Sequence, residues 1–214
     1  MRRFLQNNCL ILMLLCGSNT ALAKAGSCPA YAEMQALLNS QRIKSCFGSY
    51  GVEVLQQDGN IRISSLYSLE GEQKITRTLA ISEFSQDLPD SLQAAYETIR
   101  AGASMGSSLE SAGWRVEKRH RYFGEVPASV AFQCMAALQA GEQYSTLAVQ
   151  VYDLYAVREE QDYRFALLAE LHDPRYLTLQ DLQEIYPELI NSLTTLDSDS
   201  SGLLQLVDER CSKP

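Results

Sequence analysis

The feature that most restricts what this chain can become is a change of hydrophobic period along its length. Six stretches alternate apolar and polar residues with a period of two, which is the pattern of strands with one face inward. Val52 and Val54 alternate with polar neighbours, Asp58-Gly59 supplies a hairpin turn, and Ile61 and Ile63 resume the alternation. A third strand, with Ile75, Leu79 and Ile81 on one face, follows a turn at Gly71-Glu72. Trp114 to Val126 reads as a fourth strand. Tyr144 to Val157 and Asp162 to Leu171 form another pair, turned at Arg158-Glu159-Glu160.

Segments of period 3.6 lie between these strands. One runs from Pro29 to about Asn39, with Tyr31, Met34, Leu37 and Leu38 on one side. Another carries Leu88, Leu92, Ala95, Tyr96 and Ile99 between Pro89 and Gly102. A shorter piece with Met105, Leu109 and Ala112 ends at Gly113. Pro127 and Gly141 bracket a further helix with Val130, Cys134, Met135 and Leu138 inward. Thr178 caps a helix carrying Leu179, Leu182, Ile185 and Tyr186, and the tail from Asp197 reads as a Ser/Asp/Gly loop before a short final helix. Hairpins build antiparallel sheets, so the expected fold is α+β: a mainly antiparallel sheet with helices packed on one face. Leu66-Tyr67, Glu72-Gln73, Arg77 and Glu83-Phe84 recur, with one gap, as Leu154-Tyr155, Glu160-Gln161, Arg164 and Glu170-Leu171. Either two similar strand–strand–helix halves arose by duplication, or two hairpin–helix units share an ordinary pattern.

Residues 1–23 have the three parts of a secretory signal. Arg2 and Arg3 precede a short apolar run from Cys9 to Cys16, and Ala21-Leu22-Ala23 places small residues at the −3 and −1 positions of a cleavage site. The expectation is a cleaved leader followed by a single domain over 24–214, periplasmic or secreted. A lipoprotein anchored at Cys16 is disfavoured by Leu15, where that processing wants a small residue. The apolar run is well short of the ~20 residues of a spanning helix, so no membrane span is expected.

Loss of Arg2 and Arg3 takes the net charge from −8 to −10. Such a domain repels phosphate backbones and anionic headgroups, which excludes nucleic-acid and membrane-surface partners and leaves an envelope protein or a small ligand. Cys28, Cys46, Cys134 and Cys211 remain after the leader. An even count in an oxidising compartment reads as two bridges. Local geometry favours Cys28–Cys46 with Cys134–Cys211, provided that the helix after Pro29 stops near Asn39-Ser40. No C-x-x-C is present, so the cysteines read as staples.

Two short motifs resemble functional signatures. Gly102-Ala103-Ser104-Met105-Gly106 is similar to the G-x-S-x-G nucleophile elbow of the α/β-hydrolases, with Asp153 or Asp162 and then His172 in the order of that family's triad. In that family the first glycine ends a strand; here Gly102 ends a helix, and Ser104 reads as the N-cap of the next one. The segment from Asp197 to Asp208 resembles an EF-hand calcium loop over twelve residues. That resemblance implies side-chain oxygens from Asp197, Asp199 and Ser201, a turn at Gly202, the carbonyl of Leu203 and a closing carboxylate from Asp208. Ser201 stands where an acid is usual, and Asp208 is shorter than the usual glutamate. No cofactor is otherwise expected; calcium is the ion this loop would take.

The run from Arg115 to Arg121 is the one dense basic stretch. On a regular strand Arg115, Arg119 and Arg121 share one face, and Trp114, Val116, Lys118, His120 and Tyr122 the other. It reads as an edge strand whose charges deter further pairing, with a carboxylate or sulfate strip as the alternative. His120 and His172 are the only histidines, and His172, beside Asp173-Pro174, is expected to cap that turn. The sequence thus points to an exported binding or accessory protein without chemistry of its own, with a calcium module and a Ser104 hydrolase as alternatives.

Overall fold

The computed structural model describes residues 28–128, 134 and 145–211. The expected leader, most of the helix expected between Pro127 and Gly141, and the last three residues lie outside the described residues. Among the described residues, six helices and six strands follow in the order α1 (Tyr31–Met34), α2 (Asn39–Phe47), β1 (Gly51–Asp58), β2 (Ile61–Glu70), β3 (Gln73–Phe84), α3 (Asp90–Arg100), α4 (Met105–Ser111), β4 (Arg115–Pro127), β5 (Thr146–Arg158), β6 (Gln161–His172), α5 (Leu179–Ile185) and α6 (Ser198–Cys211). The strands form one sheet in the order β1-β2-β3-β6-β5-β4, antiparallel throughout. This is the α+β architecture that the hairpin pattern implies. Gly59 and Gly71 take positive φ at the first two tight turns, whereas the third uses Glu159 at φ 55°. Among the described residues, no helix is long and apolar enough to cross a membrane.

The strand order mirrors itself about the β3–β6 seam, and the irregularities of the sheet do too. In the first half Leu66 pairs with Thr78 and Tyr67 with Thr76, leaving Arg77 as the extra residue of a bulge. In the second, Leu154 pairs with Ala166 and Tyr155 with Arg164, leaving Phe165. Likewise Leu55 is extra between Val54 and Gln56, and Arg121 between His120 and Tyr122. Bulges interrupt a ladder at one place and redirect the strand, so two at matching places in each half are a strong structural repeat. Ser64 corresponds to Tyr152 and Val52 to Lys118; the Ile81↔Ala169 pair lies on the pseudo-two-fold axis. The helices before β1 and β4 follow the same spacing, since α2 begins at Asn39 and α4 at Met105. The repeat is therefore larger than the sequence pattern suggests, and it needs no gap within β3 and β6. Arg77 matches Phe165, and Glu83-Phe84 match Leu171-His172.

The two faces of the sheet differ in chemistry. One face buries Ile63, Leu79, Ile81, Val149, Val151 and Ala169 under Leu203 and Val207 of α6. The opposite face carries α1 to α5 over two further clusters, one around Phe84, Trp114 and Phe165 and one around Ile43, Tyr176 and Tyr186. Five helices thus share a face as expected, and the sixth covers the other. Cys28–Cys46 and Cys134–Cys211 are both at bonding distance, with Cα separations of 4.1 and 5.2 Å.

Three local expectations are corrected. The first helix stops at Met34 instead of near Asn39, and a second begins at Asn39. Arg42 Nε takes up the Met34 carbonyl at 2.7 Å, and Gln41 Oε1 accepts from the Leu38 amide at 2.9 Å, so both ends of the break are satisfied by side chains. The tail from Asp197 is helix from Ser198 onward, because Asp197 Oδ1 accepts from the Ser200 amide at 2.8 Å while Ser200, Leu203, Val207 and Cys211 are buried. His172 does not cap the turn. It ends β6 fully buried, with Nδ1 at 2.9 Å from Thr78 Oγ1, and Asp173 binds the Arg175 amide instead.

Candidate functional site

On the helical face, the strands around the axis are polar where their opposite face is apolar. Arg62, Ser64, Ser82, Gln150 and Glu170 are all buried there. All of these but Gln150 flank a cleft of about 60 Å³ that α2 and α4 overhang. Its lining is almost wholly made of symmetry-related pairs. The helix starts contribute Leu38 with Ser104, Asn39 with Met105, and Ser40 with Gly106. The strands contribute Val52 with Lys118, Ser64 with Tyr152, Leu66 with Leu154, Ala80 with Leu168, and Ser82 with Glu170. Only Tyr50 and Arg62 line the cleft without their counterparts. The cleft therefore lies on the pseudo-two-fold axis. The two helix starts meet there closely: a Cβ on Gly106 would come within 2.5 Å of Leu38 Cδ1.

The pairs are unequal. Among the strand pairs, the first half supplies Val52, Ser64, Ala80 and Ser82, which leave space, and the second fills it with the functional groups of Lys118, Tyr152 and Glu170 and the alkyl chain of Leu168. Arg62 binds the carbonyls of Ile99 and Ala103 at the end of α3 (2.6 and 3.2 Å) and Ser64 Oγ at 2.7 Å. Glu170 accepts from Gln150 Nε2 at 2.7 Å and lies 3.9 Å from Lys118 Nζ. That ammonium stands 4.5 Å from the centre of the Tyr152 ring and has no hydrogen-bond partner. Burial opposes the Glu170 charge, but Lys118, His172 and Arg42 outweigh it and hold this carboxyl below its ordinary range. Burial, with the Glu170 charge, keeps the Tyr152 phenol protonated.

Behind the cleft the polar layer continues under α2. Arg42, fully buried, donates to the Tyr186 hydroxyl and leaves Nη1 unpaired; Gln150 Oε1 and the Nε2 atoms of His120 and His172 are also unpaired. Burial, then Lys118 and Arg42, push His120 down to about 3. Burial, against the attraction of Glu170, pushes His172 down to about 4. Both rings are neutral at pH 7. Buried polar atoms without protein partners are uncommon and mark places where water or a ligand completes the bonding.

The residues singled out in the sequence are dispersed. Ser104 is the N-cap of α4 and lies in the cleft, but its oxygen contacts the Tyr50 hydroxyl at 3.4 Å. Asp153 and Asp162 point to the other side of the sheet, where they bind Arg121, Arg164 and Arg119, and His172 is bonded to Thr78; the four do not form a relay. Asp197 and Asp199 face Arg121 at 3.7 and 3.5 Å. Ser201, Leu203 and Asp208 lie along α6, so Asp197 and Asp208 are about 16 Å apart along a helix axis. Among the described residues no three His, Cys, Asp or Glu side chains are gathered as a metal would need.

The basic run is the edge strand β4, as expected, and its arginines are neutralised by Glu117, Asp153, Asp162, Asp197 and Asp199. The bulge at Arg121 moves Tyr122 to the α6 side and puts Phe123 against His120, with ring centres 5.0 Å apart. Lys118, Tyr152, Glu170 and Arg62 escaped notice as a site because they are distant in sequence and match no motif. The available signal was polar residues at the inward positions of strands whose other positions are apolar. A comparison with known families finds no family model that matches the chain, and no curated protein matches it; the cleft must be interpreted from its own chemistry.

Proposed function

We propose that this chain is an exported, non-enzymatic binding protein whose small ligand sits in the axial cleft between α2, α4 and the sheet. The observation that carries this reading is the make-up of the cleft. Nearly every lining residue belongs to a symmetry-related pair, and in three strand pairs (Val52 with Lys118, Ser64 with Tyr152, Ser82 with Glu170) the first half is small where the second is charged or aromatic. A join between two halves is a common place for a ligand pocket, and such division of labour leaves room beside fixed polar groups. Ser104, the serine of the elbow-like motif, contacts a tyrosine and no base, which favours binding over acyl transfer by that serine. Export is supported by the leader pattern of residues 1–23 and by two cysteine pairs at bonding distance, a state that persists in oxidising compartments.

The test is native mass spectrometry of the protein recovered from the envelope of its host. The expected species starts at Lys24, lacks four thiol hydrogens and carries a small adduct. Ala80→Leu, which fills the cleft, should lose the adduct while keeping the fold. An intact Met1 with four free thiols would remove the export reading. A thermal-shift screen of anionic, cationic and neutral metabolites that never moves the melting temperature would remove the binding reading.

A further inference from the structure

We infer that the axial cleft takes a small monocarboxylate, held by Lys118 with its short apolar tail against the aliphatic wall. The inference rests on the binding-protein reading above and assigns the ligand's chemical class.

The charge of the lining sets the sign. Arg62 and Lys118 face a single acid, Glu170, so the cleft is positive inside a chain of net charge −8. The two cations are not equivalent. Arg62 is committed to two backbone carbonyls and Ser64. Lys118 Nζ is buried, without a hydrogen-bond partner, and too far from Glu170 for a direct bond at 3.9 Å. A buried ammonium with free donors is poorly solvated, and an oxyanion placed beside it gains charge-assisted hydrogen bonds that no protein group now makes.

The first turn of α2 adds to the same preference. Its N-cap is Leu38, whose own side chain has no acceptor to offer; Gln41 Oε1 takes the Leu38 amide, and no N-cap oxygen accepts from the first-turn amides. Asn39 and Ser40, at the start of that helix, line the cleft. Helix starts whose N-cap side chain carries no oxygen favour an anion. The hydroxyls of Ser64 and Ser82 supply further donors on the small side of the axis.

Size and Glu170 narrow the class. About 60 Å³ holds roughly a handful of heavy atoms, since a water needs some 10–15 Å³ on the same scale. Glu170 shares the ammonium, so a dianion such as hydrogen phosphate would meet a negative charge across one lysine; a monoanion meets less repulsion. Val52, Leu66, Leu154, Leu168 and Met105 supply an aliphatic wall beside the hydroxyls of Tyr50, Ser104 and Tyr152, and that wall suits a short alkyl chain.

The experiment is calorimetric titration of the whole mature protein with sodium propionate at constant ionic strength, repeated with propionamide, ethylammonium chloride, sodium phosphate and sodium chloride. Propionate should bind, and the others should bind at least tenfold more weakly. Lys118→Met, which keeps the stem and removes the charge, should weaken propionate binding at least tenfold. Glu170→Gln should strengthen it several-fold, a direction that damage to the fold would not produce; circular dichroism checks both variants. Binding of ethylammonium or propionamide in preference to propionate, lost in Glu170→Gln, would overturn the carboxylate class and leave the binding-protein reading standing. Phosphate binding as tightly as propionate would overturn the monoanion. If none of the five probes binds the wild-type protein, the carboxylate inference fails; the metabolite screen above then decides whether the wider reading fails with it.

Discussion

Acidification from pH 7 to pH 5 should cost this protein about 4 kcal/mol of folding free energy through two imidazoles alone. His120 is held down to about 3 by burial and by Lys118 and Arg42, and His172 down to about 4 by burial; in the unfolded chain both lie at roughly 6.5. Between those values the unfolded state binds more protons than the folded one. The stability due to the neutral rings is therefore complete above about pH 6.5 and is lost as the pH falls toward the folded values. At pH 5 the unfolded ensemble has gained roughly 1.5 units per ring, or about 2 kcal/mol each at ~1.4 kcal/mol per unit. This figure hardly depends on whether a folded value is 3 or 4, because both lie below the lower pH. Glu170, held below its ordinary range, protonates outside the window. Urea unfolding followed by the fluorescence of Trp114, the single and buried tryptophan, measures the loss. His120→Phe preserves the stack on Phe123 and should remove about half of it. A wild-type loss below about 1 kcal/mol, or an undiminished loss in His120→Phe, would refute the argument that these rings are buried and neutral.

Removing the two bridges singly, as paired Cys→Ser variants, should cost about 3 kcal/mol for Cys28–Cys46 and about 4.5 kcal/mol for Cys134–Cys211, from loops of 18 and 77 residues; equal or inverted urea midpoints would contradict the loop-length order. Asp197→Ala removes the oxygen that caps α6 and a partner of Arg121, so stability should fall by about 1 kcal/mol. The fall should be the same in chelator and in millimolar calcium; melting that rises with calcium in the wild type alone would restore the loop reading. Glu159→Gly should raise the melting temperature by a few degrees, because a side chain at φ 55° costs roughly 1 kcal/mol in the third hairpin; an unchanged or lower value would show that the turn is held by contacts of the side chain.

Sequence alone placed most elements where turn chemistry and period agree. Asp58-Gly59 and Gly71-Glu72 end strands because the residues that tolerate positive φ are there, and Pro89 and Gly102 bracket α3 for equally local reasons. Errors arose where distant partners decide. Arg42 reaches back across the α1–α2 break to the Met34 carbonyl, and no period in residues 29–39 announces that. Serines and Gly202 read as loop, yet burial of Leu203, Val207 and Cys211 under the sheet makes α6. Bulges leave no local mark either, so a regular alternation carried Tyr122 to the wrong face. The site was hidden for the same reason: Lys118 and Glu170 meet only through pairing across β4, β5 and β6.

The contrast between the two faces bears on why the cleft is polar at all. Ile61, Ile63, Val149, Val151, Ala169 and Leu171 alternate along their strands with Arg62, Ser64, Gln150, Tyr152, Glu170 and His172. The same strands, with the same propensity and the same neighbours in the ladder, thus make an all-apolar core on one side and a charged layer on the other. Folding does not require the second. Replacing a buried ion pair with apolar residues of similar volume is often neutral or stabilising by about 1–4 kcal/mol, and the first half shows that smaller groups fit, since Val52 and Ser82 stand where the second half has Lys118 and Glu170. Stability therefore cannot explain Lys118, Tyr152 and Glu170 together at one end of a cleft on the pseudo-two-fold axis. A perfectly repeated pair of halves would offer a ligand two identical sides. On the binding reading proposed above, the departures at Val52/Lys118, Ser64/Tyr152 and Ser82/Glu170 would give the cleft a polar end and an open end, and an asymmetric small molecule one way to bind.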